Sequence, residues 1–191
     1  WQMALRLSMA KAQAVAMDMA KAATRCQEQD TLIVAADTLV ALGQEVLGKP
    51  ANEEEAFCML ARLRNRRHVV YSGLALIDMA SGQEHQQVAA TPVLMRDYSD
   101  AEIRDYIASG DPMDKAGAYA IQHPSFESVA RIDGCYTNVM GLPMCHLYRA
   151  LRALHFWAPL HPLQCCPLAT SSGCCWSKEI VEPPGAGECP A

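Results

Sequence analysis

The chain has 191 residues, a length that suits one domain or one domain with a tail. About half of it is apolar (51%) and 19% is charged, so it can bury a sizeable core. The net charge of -5 argues against a protein that coats a nucleic acid polymer, while leaving room for a small anion in a local cationic pocket.

No apolar run approaches the roughly 20 residues of a membrane span, and no secretory signal is visible, so a cytoplasmic protein without a membrane partner is expected. The 9 cysteines make an odd count without the pattern of a disulfide framework. Cys26, Cys58, Cys135 and Cys145 lie among apolar residues and read as small buried hydrophobes, which suits a reducing compartment.

Met3 to Thr24, rich in Ala and Met and free of Gly and Pro, reads as a helix. Thr31 to Ala36 is an apolar run ending in Asp37-Thr38, the pattern of a buried strand. Val40 to Leu47 continues that strand or turns as a hairpin at Gly43-Gln44. Asn52 and Glu55 are spaced to cap a helix whose apolar face is Ala56, Met59, Leu60 and Leu63. His68 to Met79 and Glu84 to Arg96 read as paired strands around Ser81-Gly82, with Pro92 marking an edge position or a bulge. Ser99 and Glu102 form a second capping box, for a helix that stops at Gly110. Ala118 to Gln122 and Glu127 to Ile132 are strand candidates. Pro143 suits the first turn of a last helix bearing Met144, Leu147, Leu151 and Leu154. Interleaved strands and helices imply an α/β domain with a mixed sheet over residues 1–156. Residues 157–191, rich in Cys and Pro and without an apolar period, read as a disordered or loosely attached tail.

Several residues carry chemistry. Asp37, at the end of a buried strand, stands where open α/β sheets place ligands, and suits a metal ligand or a base; it equally suits a turn cap. Lys49, held between Gly48 and Pro50, suits a phosphate or a solvated loop. Asp114-Lys115-Ala116-Gly117 sets an acid and a base beside a small, close-packing segment. The acid there could share a metal with Asp37 while Lys115 neutralises phosphate charge, or the two could form a surface ion pair. Gln122 offers an amide donor and acceptor to a base edge. His68, His123 and His146 have no mutual metal-ligand spacing and read as structural.

Taken in order, three motifs resemble one family. Ala35-Ala36-Asp37-Thr38, Leu47-Gly48-Lys49-Pro50, Arg66-Arg67-His68 and Ser72-Gly73 look like the first half of a Maf protein. Gly110-Asp111-Pro112-Met113-Asp114-Lys115-Ala116-Gly117-Ala118-Tyr119-Ala120-Ile121-Gln122 looks like its second signature, and Asn138-Val139-Met140-Gly141-Leu142-Pro143 like its third, within a match from Leu5 to Leu154. The resemblance implies an α/β fold related to inosine triphosphatase, with a cleft between two lobes. It also implies hydrolysis of a nucleoside triphosphate to its monophosphate and pyrophosphate with a divalent metal, Mg²⁺ or Mn²⁺. By resemblance Asp37 is the proton acceptor, Thr38 and Gln122 bear on substrate choice, and Lys11, Lys49 and Lys115 lie on the phosphate side. The Asp-Lys-Ala-Gly-Ala-Tyr…Ile-Gln pattern resembles the branch that acts on dTTP and UTP, and family members form homodimers. Ala120 stands where the family usually has glycine. The family opens on a strand and a Ser-x-Arg-Arg loop that this sequence does not match, and a Glu expected before the following helix has no counterpart. A diverged relative that binds nucleotide or a partner without turnover is the alternative.

Overall fold

In the computed structural model, the structure describes residues 1–22, 31–171 and 173–181. The first helix, α1 (Gln2–Ala22), leads to strand β1 (Leu32–Leu42), which turns at Gly43 into the short β2 (Glu45–Leu47). Helix α2 (Glu53–Leu63) returns the chain to β3 (Arg67–Asp78), a hairpin leads into β4 (Glu84–Met95), and α3 (Asp100–Ala108) follows. Two 3₁₀ turns, Asp111–Asp114 and Ala116–Ala118, precede β5 (Val129–Ile132), α4 (Tyr136–Val139) and α5 (Met144–Ala153). Three short helices close the described chain: α6 (Pro162–Cys165), α7 (Pro167–Ser171) and α8 (Ser177–Val181).

Both helix starts read from sequence form. Asn52 accepts from the amide of Glu55 at 2.9 Å, and Glu55 reaches back to the amide of Ala51. Ser99 and Glu102 make a complete capping box. The glutamates of the first turn of α2 also sit on the positive end of the helix.

The architecture is α/β, with helices flanking one sheet of order β2-β1-β3-β4-β5. A mixed sheet is expected from the interleaved pattern, but all four pairings of the described strands are antiparallel. The return through β2 and α2 sends β3 back alongside β1 in the opposite sense. Asp37 and Thr38 are also not at a strand end. β1 continues through them to Leu42, and the hairpin read at Gly43-Gln44 joins it to β2. Ala118–Gln122 is not a strand: Gly117 and Ala118 both take left-handed backbone (φ 71° and 59°), which breaks the extended run. Pro92 is accommodated just past the reach of β5, whose pairing with β4 covers only Val93 to Met95 and carries an irregularity at Leu94/Met95.

Alternation along β1 and β3 builds three apolar clusters. On one face, Ile33, Ala75 and Ile77 pack under Met9 and Ala12 of α1. On the other face, Leu74 and Leu76 pack under Ala150 of α5, with Leu32, Ala36, Leu147, Leu151 and Leu154 around them. Further along that same face, Val40, Leu42 and Val70 belong to the largest cluster, with Leu60 and Leu63 of α2 and Ile103 and Tyr106 of α3.

Cys135 and Cys145 are buried, as read, but Cys58 is exposed, because it faces away from the Ala56–Met59–Leu60–Leu63 stripe of α2. Cys26 lies outside the described residues. Where the sequence suggests a loose tail after Trp157, residues 157–171 and 173–181 hold three short helices, α6 and α8 against α5 and α7 against α6. Arg149 Nη1 donates to the carbonyl of Ile180 at 3.1 Å, the rings of Tyr148 and His161 lie 4.9 Å apart, and Cys166 and Ser177 are buried.

Helix α1 approaches β3 at Gly73, where an added Cβ would stand 2.3 Å from the carbonyl oxygen of Ala4 and 2.7 Å from the amide of Leu5. Both are backbone atoms, so the clash cannot be relieved by a side-chain rotation. Gly73→Ala is therefore expected to destabilise the fold by about 3 kcal/mol in chemical denaturation. An unchanged midpoint would show that α1 does not depend on this contact.

Candidate active site

The site forms beside the middle of β1. Among the described residues, β3 pairs with Leu32 to Ala41 and β2 with Val40 to Leu42. Beside Ala36 to Thr38 lies a cavity of about 330 Å³. It is lined by Asp37 and Thr38 from β1, Lys11 from α1, Lys49 from the loop after β2, and Asp114, Lys115 and Gln122 from the segment after α3. All seven residues singled out in the sequence thus meet in one place, though they span 112 positions from Lys11 to Gln122.

Successive strand residues point to opposite faces, so Asp37 and Thr38 enter the cavity from different sides. Asp37 is on the α1 side, where Lys11 Nζ meets its Oδ1 at 2.5 Å and also donates to the carbonyl of Ala36 at 3.4 Å.

Thr38 is on the opposite face, across from Ser72 in the β1–β3 register, and their hydroxyls are 2.7 Å apart. Thr38 Oγ1 also reaches the carbonyl of Gly141 at 3.3 Å, and Ser72 Oγ reaches the carbonyl of Asn138 at 3.5 Å. Asn138, fully buried, donates through Nδ2 to the carbonyl of Val70 (3.0 Å) and to Thr91 Oγ1 (2.9 Å), which pins α4 to the middle of the sheet.

The phosphate-side residues are organised by their own network. Gly117 donates to the carbonyl of Gly48 at 2.9 Å, which joins the loop of Lys49 to that of Lys115. Gly117 also lies flush on Val40, where an added Cβ would meet the side chain at 3.0 Å. Lys115 Nζ contacts Asp114 Oδ1 and the carbonyl of Asp111, each at 2.7 Å, and Asp111 Oδ1 at 3.1 Å. Partial burial disfavours the ammonium, but the bonds to Asp114 and Asp111 outweigh it and raise the Lys115 pKa. The same hydrogen bond from Lys115, with the charge of Lys49 further off, lowers that of Asp114. Tyr106 Oη donates to Asp111 Oδ2 at 2.6 Å and accepts from the amide of Ala120 at 3.0 Å, which sets the backbone just before Ile121-Gln122.

Ser72, Asp111 and Asn138 stand within the motifs without an assigned role, and Tyr106 stands outside them. The Ser72 contact depends on the β1–β3 register, which no local pattern states. Tyr106 is recognisable only as an apolar-face residue of α3, and its hydroxyl partners come from the turn that follows.

Three lysines against two carboxylates leave the cavity lining one positive charge in excess. Its other half is uncharged: Val70, Tyr119, Val139, Met140 and Gly141 line it. Such a cleft, cationic at one end and apolar at the other on an α/β sheet, defines a protein built for a small phosphorylated ligand with a flat organic part. The family model described as Maf-like protein matches residues 1–154, and the chain belongs to the Maf family. It is 45% identical over 151 residues to a dTTP/UTP pyrophosphatase of Carboxydothermus hydrogenoformans, covering 79% of this chain and 76% of that protein. A dTTP/UTP pyrophosphatase of Dehalococcoides mccartyi is 47% identical over 130 residues (68% of this chain, 58% of that protein). One of Salinibacter ruber is 49% identical over 123 residues (64% and 60%). The chain thus spans roughly three fifths of the length of the latter two relatives.

Tyr119, at the cavity wall, is joined to buried His68 by a 2.8 Å contact between Nε2 and the hydroxyl. Burial pushes His68 down to about 4, and burial together with Arg149 does the same for His146. A histidine depressed in the fold binds its proton more readily when unfolded. Stability is then complete above the ordinary histidine value near 6.5 and falls as pH drops from there towards 4. The unfolding midpoint is expected to fall markedly between pH 7.5 and pH 5, and His68→Gln to flatten that slope. Equal midpoints at the two pH values would show that neither histidine is held neutral.

Proposed function

We propose that the chain hydrolyses a nucleoside triphosphate, dTTP or UTP, to the monophosphate and pyrophosphate. The observation that carries this reading is the meeting of Asp37, three lysines, Thr38 and Gln122 in one cavity of a Maf-family fold. The names of the relatives at 45–49% identity support the choice of substrate.

In this mechanism, water attacks the α phosphorus, the bond to the α–β bridging oxygen breaks, and pyrophosphate leaves. Asp37 takes the proton of the attacking water through its Oδ2, since Oδ1 is engaged by Lys11. Lys11 thereby fixes the direction of the carboxylate. Lys49 and Lys115 lie against the departing phosphates, where developing charge is largest. Thr38 and Gln122 face the base, beside the apolar wall.

A divalent metal, Mg²⁺ or Mn²⁺, belongs to the same proposal. Asp37 and Asp114 are hard oxygen donors lining one cavity, and no cluster of three or more candidate ligands occurs among the described residues. Two carboxylates fit Mg²⁺, which usually keeps waters and completes its shell with substrate phosphates. Asp114 would hold the ion, joined by Asp37 where that residue serves as ligand and not as base, and the ion would supply charge neutralisation at the phosphate oxygens. No described helix is long and apolar enough to cross a membrane. The seven described cysteines are all unpaired, which supports a reducing cytoplasm as the compartment, and a homodimer is the assembly carried by the family resemblance.

The test is pyrophosphate release from a panel of nucleoside triphosphates with Mg²⁺ or Mn²⁺. Turnover of dTTP or UTP is expected, with Asp37→Asn slower by roughly 100-fold or more at an unchanged melting temperature. Undiminished turnover in Asp37→Asn removes that residue from the mechanism, and silence on every nucleotide overturns the reading.

A further inference from the structure

We infer that the hydroxyl of Tyr106 is a spacer between the two ends of the cavity. It holds the turn of Lys115 and the segment of Gln122 at one separation, so that a single ligand is gripped at its phosphates and at its base together. This rests on the proposed nucleotide reading and deepens it.

Lys115 and Gln122 both line the cavity, and the backbone between them lies outside the sheet. Gly117 ties the first half of that stretch to the carbonyl of Gly48. Tyr106 ties the second half: its Oη accepts from the amide of Ala120 at 3.0 Å and donates to Asp111 Oδ2 at 2.6 Å. Chemistry fixes the direction of both bonds, since an amide N–H only donates and an ionised carboxylate only accepts. Burial works to raise the Asp111 pKa, but the bonds from Tyr106 and Lys115 outweigh it and lower it, so the carboxylate is ionised. Its other oxygen, Oδ1, lies 3.1 Å from Lys115 Nζ. A continuous chain of contacts thus runs from Lys115 through Asp111 and Tyr106 to the amide two residues before Gln122.

The anchor of that chain is set in the core. Tyr106 is buried on α3, its ring stacked on Phe126 at 4.3 Å and set against His123 at 4.7 Å. It does not line the cavity, so it acts on a ligand only through the two segments it joins and is a positioning residue. Two contacts held at one separation are made together more readily than two on independently moving loops, because the ordering is complete before the ligand arrives. When a phosphate draws Lys115 away, Tyr106 keeps its hold on Asp111. A hydroxyl whose proton is drawn harder by a carboxylate also accepts more strongly, which tightens the bond from Ala120.

The experiment measures KM and kcat for UTP in the unaltered chain, Tyr106→Phe, Gln122→Ala and the double variant. Tyr106→Phe keeps the ring against Phe126 and His123 and removes only the hydroxyl. It is expected to raise KM roughly tenfold, as a small misplacement of a gripping group does. In the Gln122→Ala background one end of the grip is already lost, and the same change is expected to raise KM by about twofold or less. A hydroxyl that only supports the fold would reduce the active fraction, which lowers kcat and leaves KM alone, and that result overturns the inference. An equal rise of KM in both backgrounds overturns it too. If Tyr106→Phe does not fold, hydrogen exchange at the Ala120 amide of the unaltered chain decides. Exchange slowed by inorganic triphosphate, which reaches only the lysine end, supports the inference, and exchange unchanged by it overturns it. Each of these failures leaves the pyrophosphatase reading standing if UTP is turned over, whereas no turnover of any triphosphate removes both.

Discussion

The contact between Lys11 and Asp37 ties the first helix to the strand that carries the site. Among the described residues, β1 is paired with β3 from Leu32 to Ala41 and with β2 at Val40 to Leu42. The cavity lies beside Ala36 to Thr38 and receives Asp37 from one face of the strand and Thr38 from the other. Lys11 Nζ meets both Asp37 Oδ1 and the carbonyl of Ala36, so one side chain fixes the carboxylate and the backbone next to it. It can do so only because α1 lies close on β3 at Gly73.

The other face explains why Thr38 lies in a cleft. Along β1 and β3, one apolar cluster under α5 ends at Ala36 and Leu74, and the next, under α2 and α3, begins at Val40 and Val70. Thr38 and Ser72 stand between them. With buried Asn138 and Thr91 they form a hydrogen-bonded polar seam that reaches the cavity at part-buried Thr38. Buried polar groups are costly unless their partners are in place, so such a seam tolerates few arrangements. This one ties the backbone from Cys135 to Gly141 to the sheet centre and brings the carbonyl of Gly141 to Thr38. The seam between the two clusters supplies the directional contacts that apolar packing cannot.

The parts of the fold set by near neighbours were legible in the sequence. The caps at Asn52 and Ser99, the face of α2 and the β3–β4 hairpin each follow from residues within a turn or two of one another. What escaped is set by distant partners. The antiparallel run of β3 depends on the path through α2. Ala118 to Gln122 has the composition of a strand, yet Gly117 must lie flush on Val40 and donate to Gly48, and the left-handed backbone this needs ends any extended run. The site residues were legible as an ordered set of motifs. Their hydrogen-bond partners were not, since the pairing of Thr38 with Ser72 appears only once the strand register is known.

The charges at the site are arranged for exchange. Lys11 is bonded to Asp37 and Lys115 to Asp114 and Asp111, so two of the three lysines lining the cavity are already matched with carboxylates. A triphosphate entering alone would have to draw Lys115 away from its acids and would leave them near its own negative charge. A divalent ion entering alone would have to displace the same lysine from Asp114. Entering together, as the proposed function requires, the ion would meet Asp114 while Lys115 turned to the phosphates, and Lys11 would stay on Asp37. Asp114 and Lys115 then each lose one partner and gain another, with little net desolvation. In the proposed reaction this makes binding of nucleotide and metal mutually dependent, because each relieves the charge that the other uncovers. Lys115 is suited to the exchange by its position, since its partners lie on its own turn and it can leave them without disturbing the packing of Gly117 on Val40.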